Sequence, residues 1–256
     1  MVKMLEAIER ELGDSLNNHI HWLGGTSCGG ITSVALGTGL SVEQTRRIFL
    51  SARYLTFCGN SGMLPKHDAK GVEDVLRQAF GRFTTMGQLT SQRVMVTAAK
   101  VKVAPPQLVL FRSYAPRLPP REYEKYGYMN PDKILAWKAA RATSSPFAIG
   151  KDFVNLFGRS KNLFTLFLYQ CTSSHEVTVG QTREWAHSLK IPFFRLSPRL
   201  TRAIELDTSA TDVIFDFMFE TEVYIRTQVQ EDIKDLCRLL RALPESKTQD
   251  YDKTIH

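Results

Sequence analysis

His19-Ile20-His21-Trp22-Leu23-Gly24-Gly25-Thr26-Ser27-Cys28-Gly29-Gly30-Ile31 is the stretch on which the fold turns. His19 to Leu23 alternates polar and apolar residues as a strand does, and helical spacing resumes from about Ile31. Gly25-Thr26-Ser27-Cys28-Gly29 therefore lies between a predicted strand and a predicted helix, the setting in which G-x-S-x-G forms a nucleophile elbow. Such a turn strains the serine and exposes its Oγ, and glycine two residues to either side removes side chains that would meet the neighbouring strand and helix. The backbone N–H of Cys28, at the helix start, is then placed to donate to a developing oxyanion. The plainer reading is a glycine-rich turn in which Ser27 only caps the helix. Neither G-x-x-x-x-G-K-[ST] nor G-x-G-x-x-G occurs, so a nucleotide-binding loop has no support.

Upstream of the turn, Leu5, Ile8 and Leu12 fall on one face of a short helix that stops at Gly13. Downstream, Ser41 and Gln44 fit a capping box that opens a helix ending near Tyr54. Cys58 to Lys70 is a loop, and Val72, Val75, Leu76 and Phe80 mark a helix closed by Gly81. Val94–Ala99 and Leu108–Phe111 are strands on either side of Pro105-Pro106, in a hairpin-like or crossover arrangement within a mixed sheet. The proline- and tyrosine-rich segment from Pro116 to Pro131 reads as an extended surface loop whose rings pack down or, alternatively, face a lipid interface. A helix from about Asp132 to Ala142 follows, then mostly helix with a strand at Phe193–Leu196. Strands alternating with helices give an α/β chain with a sheet covered on both faces.

The 256 residues, 43% of them apolar, suffice for one sizeable core, here a domain over residues 1–244 with a polar, disordered tail over 245–256. The densest apolar stretch, Asn162 to Cys171, is far too short to cross a bilayer, and the first residues lack the pattern of a secretory signal; a cytoplasmic address is expected. Cys28, Cys58, Cys171 and Cys237 are widely spaced without a C-x-x-C pair, the pattern of free thiols rather than a disulfide framework or a zinc site. The net charge of +7 favours an anionic partner. Without a basic run or a nucleic-acid motif, that partner is expected to be an anionic membrane surface and not a nucleic acid.

The turn has companions. Trp22-Leu23-Gly24-Gly25-Thr26-Ser27-Cys28-Gly29-Gly30, Leu110-Phe111-Arg112-Ser113-Tyr114, Trp137-Lys138-Ala139-Ala140-Arg141-Ala142-Thr143-Ser144-Ser145, Phe193-Phe194-Arg195-Leu196-Ser197-Pro198 and Glu220-Thr221-Glu222-Val223-Tyr224-Ile225 together resemble segments of the patatin-like phospholipases, in their calcium-independent phospholipase A₂ branch. The resemblance runs from Met1 to about Leu243. It implies a three-layer α/β hydrolase sheet with helices on both faces. It also implies cleavage of glycerophospholipid esters through an acyl-enzyme on Ser27, with a Ser–Asp dyad, no calcium and no cofactor. Peripheral membrane association follows from such a substrate.

Two expected parts have no counterpart. The family's D-G-G-G-x-R-G oxyanion loop precedes its first helix, the helix with which this sequence opens, and the D-G-[GA] motif carrying the catalytic aspartate is absent, since no Asp-Gly dipeptide occurs. Ser145-Pro146-Phe147 joins almost directly to Ala148-Ile149-Gly150-Lys151-Asp152, so the domain reads as shortened at its N-terminus and internally deleted near 146–150, and as weak or inactive. Asp152 is the candidate replacement acid. Rival readings are a Ser–Asp–His hydrolase using His187, and a thiol nucleophile at Cys28 or Cys58. A further alternative is a non-catalytic module that binds a lipid surface, forms a homo-oligomer or pairs with a full-length relative. Ile233, Leu236, Leu239, Leu240 and Leu243, flanked by Lys234, Arg238 and Arg241, form a stripe suited to docking on the domain, to a membrane, or to calmodulin.

Overall fold

Trp22–Thr26 (β1), Arg93–Lys100 (β2) and Gln107–Arg112 (β3) form a mixed three-stranded sheet in the order β1-β2-β3. The computed structural model describes residues 1–57, 69–100, 107–116, 118–144, 176–201 and 210–243. β1 and β2 are parallel, with Thr26 opposite Thr97; β2 and β3 are antiparallel, with Val96 opposite Phe111. Eight α-helices lie among the described residues: Val2–Leu12 (α1), Cys28–Gly37 (α2), Val42–Phe57 (α3), Ala69–Phe80 (α4), Ala136–Thr143 (α5), Glu176–Ser188 (α6), Thr211–Thr227 (α7) and Gln230–Ala242 (α8). The chain forms two compact units, one of Met1–Ser144 with Pro198–His256 and one of Ser145–Ser197, to which α6 belongs.

Local chemistry explains most helix ends. Gly13 terminates α1 at φ 73, donating its N–H to the Glu9 carbonyl. Gly81 takes φ 84 directly after α4. At α3 the capping box forms as expected: Ser41 N–H donates to Gln44 Oε1 at 2.8 Å, and Gln44 N–H to Ser41 Oγ at 3.1 Å. α2 is buried on every side from Gly30 to Gly37 and is the central helix. Its two hydroxyl side chains tolerate this because Thr32 and Ser33 donate back to the Cys28 and Gly29 carbonyls, at 3.0 and 2.9 Å.

α2 and α5 pack on the sheet face that carries Val94 and Val96, both fully buried. Ile31, Val34, Ala35, Leu76, Phe80 and Met86 complete this core with Ala139 and Ala140. The opposite face is open: Trp22 is 55% and Leu108 72% exposed. Trp22 stands edge-on to Tyr114, with ring centroids 4.9 Å apart, and Arg93 lies over it at 5.2 Å. The second helical layer expected from the sequence is therefore not present among the described residues of this unit.

α1 packs on α7 and α8. Ile233 and Cys237 of α8 are buried, while Leu239 and Leu243 remain exposed, so the apolar stripe docks through only part of its width. The Cys237 thiol donates to the Ile8 carbonyl at 3.6 Å, and the Arg241 guanidinium donates to the Glu11 and Leu12 carbonyls at the C-terminal end of α1.

Several boundaries differ from the sequence reading. β1 begins at Trp22, not His19, because Leu16–Asn18 forms a 3₁₀ turn and the β2 ladder starts at Trp22↔Arg93. The helix after the turn begins at Cys28 rather than near Ile31, and α3 runs to Phe57. α5 starts at Ala136, not Asp132, since Pro131–Lys133 is a 3₁₀ turn and Leu135 is extended, bridging Thr85. Phe193–Leu196 carries no regular secondary structure. The 58–68 part of the expected loop, the 245–256 tail, and Asn162 to Cys171 lie outside the described residues.

Candidate active site

The parallel pair β1 and β2 ends with Thr26 beside Thr97, their hydroxyls hydrogen-bonded to each other, and the chain turns at the next residue. The carboxyl end of parallel strands is where α/β sheets place their ligands. Ser27 sits in that turn at φ 55, ψ −125, outside the left-handed helical region. One other described non-glycine residue has positive φ, Lys190; it closes the end of α6, with its N–H bonded to the His187 carbonyl. Ser27 has no such local excuse, and its conformation is held by the elements on either side.

On the strand side, Gly25 is indispensable: a Cβ there would lie 2.2 Å from the Gly29 carbonyl carbon and 2.6 Å from the Gly30 nitrogen. Gly29, the other glycine of the motif, behaves differently, because a Cβ at Gly29 meets nothing within 4 Å. The second close approach belongs instead to Gly30, whose Cβ would fall 2.6 Å from Thr143 Cγ2 and 3.0 Å from Val96 Cγ1. The expectation that both glycines of G-x-S-x-G relieve clashes is thus corrected: strand and helix meet at Gly25 and Gly30.

On the helix side, Ile31 N–H donates to the Ser27 carbonyl at 3.0 Å, the first bond of α2. Ser27 occupies the cap position, yet its side chain makes no capping bond. The reading of Ser27 as a mere helix cap is set aside by this geometry. The N–H groups of Cys28, Gly29 and Gly30 open α2 without intrahelical partners, so the positive end of the helix dipole is directed at the turn. Cys28 is exposed, with a free thiol. Burial holds the Met1 ammonium below its ordinary value, and the Cys28 thiol partly offsets this.

A contact that sequence reasoning missed completes the turn. Thr143, at the last position of α5 and only 7% exposed, accepts the Ser27 N–H on Oγ1 at 2.7 Å. The signal was present, since Thr143 lies within the quoted Trp137–Ser145 segment, but nothing in a linear sequence pairs it with Ser27. The rest of that segment anchors α5. Trp137 Nε1 donates to the Arg82 carbonyl at 3.2 Å, Arg77 stacks 4.2 Å over the Trp137 ring, and Arg141 lies 3.8 Å from Glu73.

Of the sequence-predicted residues, Gly25, Thr26, Ser27, Cys28 and Gly29 are brought together in one turn. No described side chain hydrogen-bonds Ser27 Oγ. Asp152 and Cys58 lie outside the described residues, and His187 belongs to the other compact unit. Among the described residues no helix is long and apolar enough to cross a membrane.

No family model matches the chain. It is 23% identical to an intracellular phospholipase A2 of Caenorhabditis elegans, over 94% of this chain and 28% of that protein. An 85/88 kDa calcium-independent phospholipase A2 of Rattus norvegicus is 23% identical, over 94% of this chain and 38% of its own. The chain is related to the patatin-like, calcium-independent phospholipases A2. A patatin-like phospholipase 1 of Plasmodium falciparum adds 30% identity over 47% of this chain and 18% of that protein. The chain thus spans well under half the length of these relatives, which are lipid hydrolases by name.

Proposed function

We propose that this chain is a patatin-like serine lipid acyl hydrolase of the calcium-independent phospholipase A₂ type, with Ser27 as nucleophile and with weak or no turnover. The observation that carries this reading is the strained Ser27 at the junction of β1 and α2, its hydroxyl uncommitted to a cap and the helix N-terminus behind it. In the proposed reaction Ser27 Oγ attacks the ester carbonyl of a glycerophospholipid, its proton passing to a carboxylate. The oxyanion takes the Cys28 N–H, the lysophospholipid alcohol leaves, and water releases the fatty acid from Ser27.

Weakness follows from what has no counterpart in the sequence. The alignments with the relatives run over 308 and 321 positions, more than the 256 residues of the chain, so the relatives carry residues with no counterpart here, in keeping with an internal deletion that includes the family's Asp-Gly motif. Asp152 is the first carboxylate to test as a substitute. The substrate surface is an anionic membrane, to which the protein associates peripherally from the cytoplasm, in keeping with its net charge of +7.

The test pairs the chain with Ser27→Ala, both shown to be folded, and measures fluorophosphonate labelling together with fatty acid release from phospholipid vesicles. Labelling and release that vanish with Ser27→Ala support the proposal. Neither signal in folded protein sinks the enzyme reading and leaves a lipid-surface or partner-binding module, such as one that pairs with a full-length relative.

A further inference from the structure

We infer that Thr143 is the positioning residue of the serine turn: its hydroxyl holds the Ser27 backbone in the conformation from which Oγ is presented. The inference rests on Ser27 being the nucleophile and adds the residue that aims it. The positive φ of Ser27, paired with a ψ outside the left-handed helical region, is strained and persists only if surrounding contacts over-determine it. The β1–β2 ladder ends at Thr26, and α2 supplies an acceptor-side bond only through the Ser27 carbonyl. The Ser27 N–H falls between the two, and Thr143 Oγ1 takes it at 2.7 Å.

The fit is shaped from both sides. Gly30 leaves the space that Thr143 fills, since a Cβ on Gly30 would lie 2.6 Å from Thr143 Cγ2 and 2.8 Å from its Oγ1. α5 cannot easily withdraw the threonine, because Ala136, Ala139 and Ala140 are fully buried and Trp137 is tied to the Arg82 carbonyl. With its own N–H engaged, Ser27 leaves oxyanion donation to the Cys28 N–H, the first of α2. Thr143 thus acts through the backbone of Ser27 and has no contact with the reacting atoms.

Thr143→Val keeps the shape and removes the acceptor; Thr143→Ser keeps the acceptor and removes only a methyl group. Both are compared with the unaltered chain by hydrogen exchange at the Ser27 amide, by the rate of fluorophosphonate labelling and by melting temperature. Thr143→Val is expected to speed Ser27 exchange and slow labelling, each about tenfold, while Thr143→Ser stays within about twofold on both. Wild-type exchange and labelling in Thr143→Val, or equal losses in the two variants, would overturn the assignment, the second by reducing it to packing. If Thr143→Val does not fold, Thr143→Ser decides: wild-type exchange supports the acceptor role, and a tenfold change rejects it. If the folded, unaltered chain is not labelled, the nucleophile reading fails, and exchange at Ser27 alone still judges Thr143.

Discussion

The serine turn and the α1–α7–α8 helices are held by different physics. Around Ser27, backbone meets backbone: Gly25 rides on Gly29 and Gly30, Gly30 admits Thr143, and Val94 and Val96 are fully buried beneath. Across the three helices, Ile8, Leu12, Ile225, Ile233 and Cys237 are buried, and long side chains add ties through water-accessible space. Glu222 of α7 binds Lys3 of α1 at 3.1 Å and Arg226 of its own helix at 2.8 Å, and Arg241 of α8 reaches carbonyls at the end of α1. A close-packed junction has no slack, whereas a flexible ion pair re-forms after small shifts. The first region can therefore hold a strained serine, whereas the ion pairs of the second yield to small shifts.

Substitution at Gly25 offers the sharpest way to break this contrast. Gly25→Ala is expected to cost roughly 3 kcal/mol in urea unfolding, because its Cβ meets backbone that cannot yield. Gly29→Ala, in open space on a helix, is expected to be neutral or slightly stabilising. Equal midpoints for the two would remove the packing argument. Next, Val96→Ala should lose about 2 kcal/mol from the covered face of the sheet, against less than about 0.5 kcal/mol for Leu108→Ala on the open face. Comparable losses would mean that the open face is covered in solution.

In the helical region, Arg241→Ala should lower stability by only about 1 kcal/mol, read by thermal unfolding. A loss as large as that of Val96→Ala would deny the difference between the regions. The smallest effect is a pH dependence at Glu222. The Arg226 guanidinium, then the Lys3 ammonium, hold its carboxyl below the ordinary range. A carboxylate depressed in the folded state stabilises above its unfolded value, and that contribution is lost as pH falls through the folded value. The melting-temperature advantage of the unaltered chain over Glu222→Gln should be present at pH 7 and fade below about pH 4. A gap that stays constant down to pH 3 would show that Glu222 acts through packing instead.

Much of this was legible in sequence. The Ser41–Gln44 box, Gly13 and Gly81 announced their helix ends, because capping involves residues three or four apart and leaves a local trace. The His19–Leu23 alternation misled by three residues. The alternation stops at Leu23, yet pairing of Gly24 and Gly25 with Met95 and Val96 carries the strand on to Thr26. Likewise Asp132 looked like a helix start until the Thr85–Leu135 bridge held the chain extended past it.

The sequence alone determined the order strand, serine, helix, and with it the turn on which the proposed chemistry rests. Only the tertiary structure decided which glycines are obligatory, that Ser27 is strained and makes no capping bond with its side chain, and that Thr143 from 116 residues away accepts its N–H. The reason is physical: periodicity and caps are set by neighbours along the chain, while close approach and hydrogen bonding across the core depend on how separate elements are brought together.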